Sequence, residues 1–143
     1  MSDLVLREVA PYDIHKHWMA LQEGLQAARS HDLSDPAPEH VLGMLLSQGA
    51  FLITGHIKKN MAGFIIAQVL NDVWTQKPER LHLWKVVNFK DHNLLKEGQS
   101  LLEDMARDAG LKSITFRSDK MSFERLVRGM GYRLREIELI KEL

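Results

Sequence analysis

The fold of this chain is decided by residues 50–89, AFLITGHIKKNMAGFIIAQVLNDVWTQKPERLHLWKVVNF. Three segments of this stretch, 50–57, 61–70 and 80–89, are rich in apolar and β-branched residues and are separated by polar turns. Consecutive strand-like segments joined in this way predict an antiparallel meander. The run 63–67, GFIIA, is apolar at every position, which indicates a strand that is covered on both faces of the sheet.

Helical periodicity flanks the meander on both sides. Residues 13–28 carry apolar side chains three or four positions apart, with Asp13 as the expected N-cap, and Pro38 is placed to begin a second helix. The further predicted elements are a strand over 4–9, helices over 13–28, 38–46, 93–109 and 122–131, and strands over 112–117 and 132–140. We expect a bulge near Arg135 and Glu136, because the apolar alternation of the last strand changes phase there.

The predicted elements follow one another in the order β-α-α-β-β-β-α-β-α-β. This order is typical of a mixed α/β fold, in which helices cover both faces of a mixed, partly antiparallel sheet. The strand over 80–89, the helix over 93–109 and the strand over 112–117 form a crossover unit, so these two strands should be parallel. A length of 143 residues corresponds to a single domain spanning 1–143.

Composition and charge exclude several classes of function. The chain has no cysteine, which rules out thiolate nucleophiles, iron–sulfur clusters and cysteine-based zinc sites. Its seven histidines lack metal-ligand spacing, so we expect no metal site. Nineteen basic side chains balance 19 acidic ones, which argues against a nucleic-acid partner. No apolar run reaches the ~18 residues of a membrane span, so we expect a cytoplasmic protein without membrane association.

Four segments resemble the GNAT superfamily of acyl-CoA-dependent N-acyltransferases. They are AGFIIA (62–67), LHLWKVV (81–87), LLEDMARDAGLKSITF (101–116) and FERLVRGMGY (123–132), the last ending in Gly-aromatic. In element order the resemblance covers essentially the whole chain. It implies a GNAT fold, acetyl-CoA as donor, and acetylation of a small-molecule or protein amine.

The same resemblance implies a cofactor site at the turn before the helix over 93–109. The family pattern there is Arg/Gln-x-x-Gly-x-Gly/Ala, and its backbone N–H groups hold the CoA diphosphate. This chain reads NLLKEG over 93–98, so Leu94 and Lys96 stand at two glycine positions and the motif is degenerate. We predict that Leu94 or Leu95 is buried in the first turn, and that the strands over 80–89 and 112–117 splay apart. The implied cofactor-binding residues are Val86, Val87, Lys96, Gly98 and Gln99.

The resemblance also places the general base on or near the meander strands. His82 lies within the third strand and Glu79 lies just before it, and an imidazole pKa near ~6.5 suits a base at neutral pH. Backbone N–H groups of residues 84–87 would polarise the acyl carbonyl. The family's acid position falls on Val127, which cannot donate a proton. His82 has a second interpretation, as a half-buried strand histidine packed beside Trp84.

Two functions remain open at this point. The first is the N-acetyltransferase described above. The second is a catalytically inactive GNAT-like binding or structural protein, because the chain also resembles small GNAT-like proteins of tailed phages, some of which are associated with virions. The second function calls for a protein partner, and a homodimer is compatible with either. Trp74, in the polar loop NDVWTQKPE, either anchors that loop to the core or contacts a partner.

Overall fold

The computed structural model describes residues 3–28, 37–90, 92–116, 128–133, 139 and 141–143. Its strands are β1 (Leu4–Val9), β2 (Phe51–Ile57), β3 (Asn60–Asn71), β4 (Pro78–Asn88) and β5 (Ser113–Phe116). Its helices are a 3₁₀ helix (Pro11–His17), α1 (Trp18–Ala28), α2 (Pro38–Leu46), α3 (Leu94–Glu97) and α4 (Gln99–Asp108).

The five described strands form one sheet in the order β1-β2-β3-β4-β5. Neighbours are antiparallel from β1 to β4, whereas β4 and β5 are parallel. The structure therefore confirms both the meander and the parallel crossover. It also confirms the central covered strand, because β3 occupies the middle of the sheet and residues 62–67 are all buried.

Helices pack on both faces of the sheet, as the sequence predicts. On one face, α3 and α4 bury Leu94, Leu95 and Leu102 against Ile65 and Leu83 of the strands. The other face carries the 3₁₀ helix, α1 and α2, and its buried side chains are Ile14, Leu21, Leu25, Val41 and Leu45, packed around Leu52, Phe64 and Ile66. Adjacent residues of β3 thus point into different cores, which explains why GFIIA has no polar face.

Leu94 packs onto a pair of glycines in the sheet. Gly55 and Gly63 are direct cross-strand partners on β2 and β3. A Cβ at position 55 would lie 2.7 Å from Leu94 Cδ2, and one at position 63 would meet the Val87 carbonyl oxygen and lie 2.9 Å from Leu94 Cδ1. The two glycines therefore leave the space that the leucine fills, and this contact seats α3 directly on the sheet.

The first helical segment begins earlier than the sequence predicts. Its N-cap is Ala10, and Pro11 occupies the first helical position, which its fixed φ angle favours. Asp13 is therefore inside the 3₁₀ helix and is not its cap. Its carboxylate instead pairs with Lys16 Nζ at 2.8 Å.

The helix predicted over 93–109 is two helices in the structure. Gly98, with φ −103° and ψ 8°, separates α3 from α4. The predicted helix over 122–131 and strand over 132–140 lie largely outside the described residues, as do Val127 and the bulge expected near Arg135 and Glu136. In the described ranges, no helix is long and apolar enough to cross a membrane.

Candidate functional site

A bulge interrupts β4 at Trp84, two residues before the candidate cleft. Ile66 of β3 pairs with Lys85, but its neighbour Ala67 pairs with Leu83, so Trp84 has no partner residue on β3 in the described sheet. The bulge changes the phase of the strand. Leu83 and Val86 belong to the core under α4, whereas Trp84 packs against the core under α1. A bulged residue leaves the hydrogen-bond ladder, which makes its backbone groups available to a ligand.

A cleft of about 460 Å³ opens between α1 and the last residues of β4. It is lined by Glu23, Gly24, Ala27, Val86, Val87, Asn88 and Phe89. Its volume lies within the ~300–1,000 Å³ typical of small-ligand sites. Val86 and Val87, which the family resemblance implies as cofactor-binding residues, are thus part of a cleft.

Gly24 allows α1 to approach the sheet at this cleft. A Cβ at position 24 would lie 2.7 Å from Phe64 Cε1 and 2.9 Å from Val87 Cγ1. The preceding residue, Glu23, is exposed and is the only ionisable residue among those that line the cleft in the described chain. Sequence reasoning missed Glu23. The available signal was the glycine that interrupts the apolar stripe of α1.

His82 lies two residues before the bulge, on the β4 face opposite Leu81 and Leu83. Its side chain is half-buried, and its Nδ1 lies 2.9 Å from Thr115 Oγ1, within hydrogen-bond distance. Thr115 is also its cross-strand partner on β5, so the ring is held at the seam between the two parallel strands. His82 does not line the cleft, because four residues of strand, about 13 Å, separate it from Val86.

Glu79 is placed farther along β4 from the cleft than His82. Its side chain is half-buried, and its backbone carbonyl accepts a hydrogen bond of 2.8 Å from the N–H of Lys112. This contact joins the second residue of β4 to the residue before β5. The structure therefore does not bring the two predicted catalytic side chains and the cleft together at one point.

Three backbone N–H groups of the turn before α3 donate to side-chain oxygens of the chain. Asn88 Oδ1 accepts from Leu94 N–H at 2.7 Å, and Asn93 Oδ1 accepts from Lys96 N–H at 3.1 Å. The carboxylate Oε2 of Glu97 accepts from Asn93 N–H at 3.2 Å. Leu94 and Leu95 are both buried, as predicted. Three side-chain oxygens of the chain thus occupy the positions at which a helix N-terminus binds an anion.

Gly98 and Gln99 make contacts within the protein. Gly98 is buried, and a Cβ there would lie 3.3 Å from side-chain atoms of both Leu4 and Leu6 and 2.8 Å from the Leu94 carbonyl oxygen. Gln99 Oε1 accepts a hydrogen bond of 3.1 Å from the Tyr132 hydroxyl. A side chain at position 98 is therefore excluded first by the Leu94 carbonyl oxygen and then by the side chains of β1.

Tyr132 packs in the core under α4. Its ring meets that of Phe116 edge to face, with 5.1 Å between the centroids. Burial is the main cause that raises the pKa of the Tyr132 phenol, against the hydrogen bond to Gln99, which lowers it. The phenol is therefore protonated at neutral pH.

Trp74 is the tip of an ordered turn between β3 and β4. Its side chain is 92% exposed, so it does not anchor the loop to the core. Asp72 Oδ1 accepts hydrogen bonds from the N–H groups of Trp74 and Thr75, at 2.8 and 3.0 Å. These bonds lower the pKa of the Asp72 carboxyl. The turn holds the indole in solvent, at the end of β4 opposite the cleft.

The whole described architecture is shared with solved acetyltransferase structures. A ribosomal-protein-alanine N-acetyltransferase from Brucella melitensis biovar Abortus 2308 matches with a TM-score of 0.70 at 14% identity, over 98% of this chain and 99% of that one. A putative acetyl transferase from Pyrococcus furiosus matches with a TM-score of 0.68 at 17% identity, over 98% and 99%. Glucosamine-6-phosphate N-acetyltransferase from Arabidopsis thaliana matches with a TM-score of 0.63 at 14% identity, over 97% of each chain.

The chain has the GNAT fold. At these identities the matches show the shared fold alone. Neither a protein-family model nor a curated protein sequence matches the chain.

The GNAT fold implies acetyl-CoA as the acyl donor, and the residues present fit only part of that molecule. The bulge at Trp84 and the cleft beside Val86 and Val87 offer backbone groups and apolar walls to a thioester arm. The turn over 93–98 fits a diphosphate poorly, because the N–H groups of Asn93, Leu94, Lys96, Glu97 and Gly98 already donate within the chain. The described pairing of β4 with β5 ends at Leu83 and Phe116, so the predicted splay beyond it stays a prediction.

Proposed function

We propose that this protein is an N-acyltransferase, which moves an acyl group from a thioester to an amine. The observation that carries the proposal is the GNAT fold with a cleft against the bulged end of β4. Two of the structurally similar proteins are N-acetyltransferases by name, one for a ribosomal-protein alanine and one for glucosamine 6-phosphate. The fold therefore accommodates both a protein amine and a small-molecule amine as acceptor.

The reaction needs a polarised carbonyl beside a neutral amine. The amine nitrogen attacks the thioester carbonyl carbon, a C–N bond forms, and the C–S bond breaks with its electron pair leaving on sulfur. Backbone N–H groups at the bulge, from Trp84 onward, would stabilise the negative charge that develops on the oxygen. A thiol with a pKa near ~8.5 leaves as the thiolate, so no acid is required at the position of Val127.

His82 is the general base of this proposal. Strand alternation puts it on the same face of β4 as Trp84, two residues or about 7 Å along the strand from the bulge, which a side chain or one water molecule can span. The hydrogen bond to Thr115 Oγ1 fixes the orientation of the ring. The proton released by the attacking amine passes to the imidazole. Glu79 is the alternative base, acting through a bound water.

Exposed Glu23 stands beside the cleft that would hold the thioester arm, and in this proposal it attracts a cationic acceptor that approaches the arm. Because Glu23 is exposed, salt weakens this attraction. A primary amine is protonated at neutral pH, and an ammonium ion close to a carboxylate gains both charge attraction and hydrogen bonds. Glu23 is the only ionisable residue among those described as lining the cleft. An anionic group on the acceptor would therefore find no basic side chain to pair with among these residues. The acceptor class that the cleft favours is therefore an amine without a neighbouring acidic group.

The proposal is tested by thiol release. An acyl thioester is incubated with amines of different class, and the free thiol is followed with a thiol-reactive dye. The protein itself contributes no background because it has no cysteine. Amine-dependent release that falls with Glu23→Gln for cationic amines, and less for neutral ones, supports the proposal. Failure of every amine and thioester would instead support a non-catalytic binding protein, which the self-bonded turn before α3 also favours.

A further inference from the structure

The turn before α3 points to the class of acyl donor. We infer that this protein recognises its donor through the thioester and the arm that carries it, and makes no binding contact with a nucleotide diphosphate at the start of α3. This inference rests on the proposed function and specifies the donor of the same site. It departs from what the GNAT fold implies for acetyl-CoA.

Five backbone N–H groups of the turn before α3 donate hydrogen bonds within the chain. The backbone N–H groups of Asn93, Leu94 and Lys96 donate to side-chain oxygens of Glu97, Asn88 and Asn93, in that order. The N–H groups of Glu97 and Gly98 donate to the carbonyl oxygens of Asn93 and Leu94. A diphosphate could bind these N–H groups only by displacing hydrogen bonds that they already make within the chain, so little net free energy would be gained by binding it there.

Charge at the turn opposes a second anion. Glu97 places a carboxylate on the turn itself, where its Oε2 accepts from the Asn93 N–H, so the chain supplies its own anion. His92 Nδ1 lies 3.8 Å from the same carboxylate. A phosphate brought to this turn would therefore meet a like charge at close range.

The lysines near the turn do not replace the N–H groups that are already bonded within the chain. Lys90 and Lys96 are both exposed. Exposed charges are solvated and screened by salt, and they do not impose the geometry that several converging N–H groups impose. Recognition of a diphosphate by these side chains alone would be weak and would depend strongly on ionic strength.

Steric packing closes the turn from the sheet side. Leu94 is fully buried over Gly55 and Gly63, and Gly98 is buried against Leu4 and Leu6. The backbone of the turn is thus held down on the sheet at two places. The cleft on the other face, with Gly24, Ala27, Val86 and Phe89 in its walls, offers an apolar lining that suits an uncharged arm.

The test compares two donors that share the thioester arm and differ in the diphosphate. S-acetylpantetheine and acetyl-CoA are each assayed by thiol release with one amine. We expect their kcat/KM values to agree within about threefold. A preference for acetyl-CoA of a hundredfold or more, the value of a few charge-assisted hydrogen bonds, would overturn the inference. Failure of both donors would instead count against the proposed function.

A pair of variants tests whether Lys96 contributes to the preference between acetyl-CoA and acetylpantetheine. Lys96→Ala removes the cation nearest the turn, and Lys59→Ala removes an exposed cation from the turn between β2 and β3. We expect the ratio of acetyl-CoA to acetylpantetheine kcat/KM to be the same in both variants. A tenfold fall of that ratio in Lys96→Ala, but not in Lys59→Ala, would show that the diphosphate is bound at this turn.

A binding measurement tests the same inference without turnover. CoA and pantetheine are titrated separately into the full-length protein by calorimetry. Equal dissociation constants within about threefold support the inference, and tighter binding of CoA by a hundredfold or more overturns it. Absence of binding by both ligands would defeat the donor inference together with the proposed function.

Discussion

Asn88, the last residue of β4, accepts a hydrogen bond of 2.7 Å through Oδ1 from the backbone N–H of Leu94, the first residue of α3. One side chain thereby spans the connection between the strand that carries the bulge and the helix that packs on the sheet. The same contact satisfies an N–H group that a helix N-terminus would otherwise offer to an anion. The same few atoms therefore stabilise this connection and, in our proposal, leave no place for a diphosphate.

Replacement of Asn88 tests the structural part of this contact. Asn88→Ala should lower the free energy of unfolding by about 1–2 kcal/mol, because the Leu94 N–H loses its acceptor in a part-buried site. Asn88→Asp keeps an acceptor oxygen and should lose less. Urea denaturation of the three proteins provides the measurement. Equal losses in the two variants would mean that the hydrogen bond is not what stabilises the turn.

The packing of Leu94 over the glycine pair is testable by a double-mutant cycle. Leu94→Ala should cost about 2–5 kcal/mol, because it leaves a cavity in the core. Gly55→Ala should also destabilise, because the new methyl group would lie 2.7 Å from Leu94 Cδ2. In the double variant the methyl group occupies part of the space that the leucine vacates. We expect a total loss at least ~0.5 kcal/mol smaller than the sum of the single losses. Additive losses would contradict direct contact.

His56 makes stability depend on pH. Burial, with the charges of Arg7 and His17, lowers the pKa of His56 below its ordinary value of 6.5. Its Nε2 also lies 3.0 Å from the hydroxyl of buried Thr54. Because the unfolded chain then binds a proton more readily than the folded one, stability falls as the pH decreases through 6.5.

The pH effect is measured by thermal or urea unfolding between pH 5 and 8. His56→Gln removes the titrating group and keeps a polar side chain, so it should flatten the decline in stability below about pH 6.5, the ordinary histidine value. His40→Gln, at an exposed position on α2, is the matched control and should leave the decline unchanged. A decline of equal steepness in the wild type and His56→Gln would assign the effect to other groups.

His82 should matter more to catalysis than any described tyrosine. His82→Ala should lower kcat/KM by about 10²–10⁴, the usual contribution of a positioned general base. Thr115→Val should give a smaller loss, because it removes only the group that orients the ring. Tyr132→Phe should change the rate little, since its hydroxyl contacts Gln99 in the core under α4. Thiol release across pH 6–9 measures all three. Full activity in His82→Ala, with activity lost in Glu79→Ala, would identify Glu79 as the base.

Replacement of Trp74 should leave the free energy of unfolding almost unchanged. Trp74→Ser should change the free energy of unfolding by less than ~0.5 kcal/mol, because the side chain is 92% exposed. Asp72→Ala should cost more, because Asp72 accepts the two backbone hydrogen bonds that shape the turn. The same urea series provides both values. A large loss in Trp74→Ser would show that the indole stabilises the fold after all.

Local patterns in the sequence were sufficient for the order of the described elements and for the fold class. Alternation of period two in 50–89 predicted β2, β3 and β4, and the apolar run 63–67 predicted a strand covered on both faces. Leucines at 94 and 95 predicted a buried first turn. The sequence predicts these features because burial of one face imposes a regular spacing of apolar residues along a single segment.

The tertiary structure alone decided the geometry of the candidate site. The bulge at Trp84 follows from the register between β3 and β4, and the contact of Asn88 with Leu94 joins residues on two elements. Glu23 belongs to the cleft only because Gly24 lets α1 lie close to Phe64 and Val87. Such contacts depend on the distance between elements after packing, and the periodicity of one segment carries no information about the position of another.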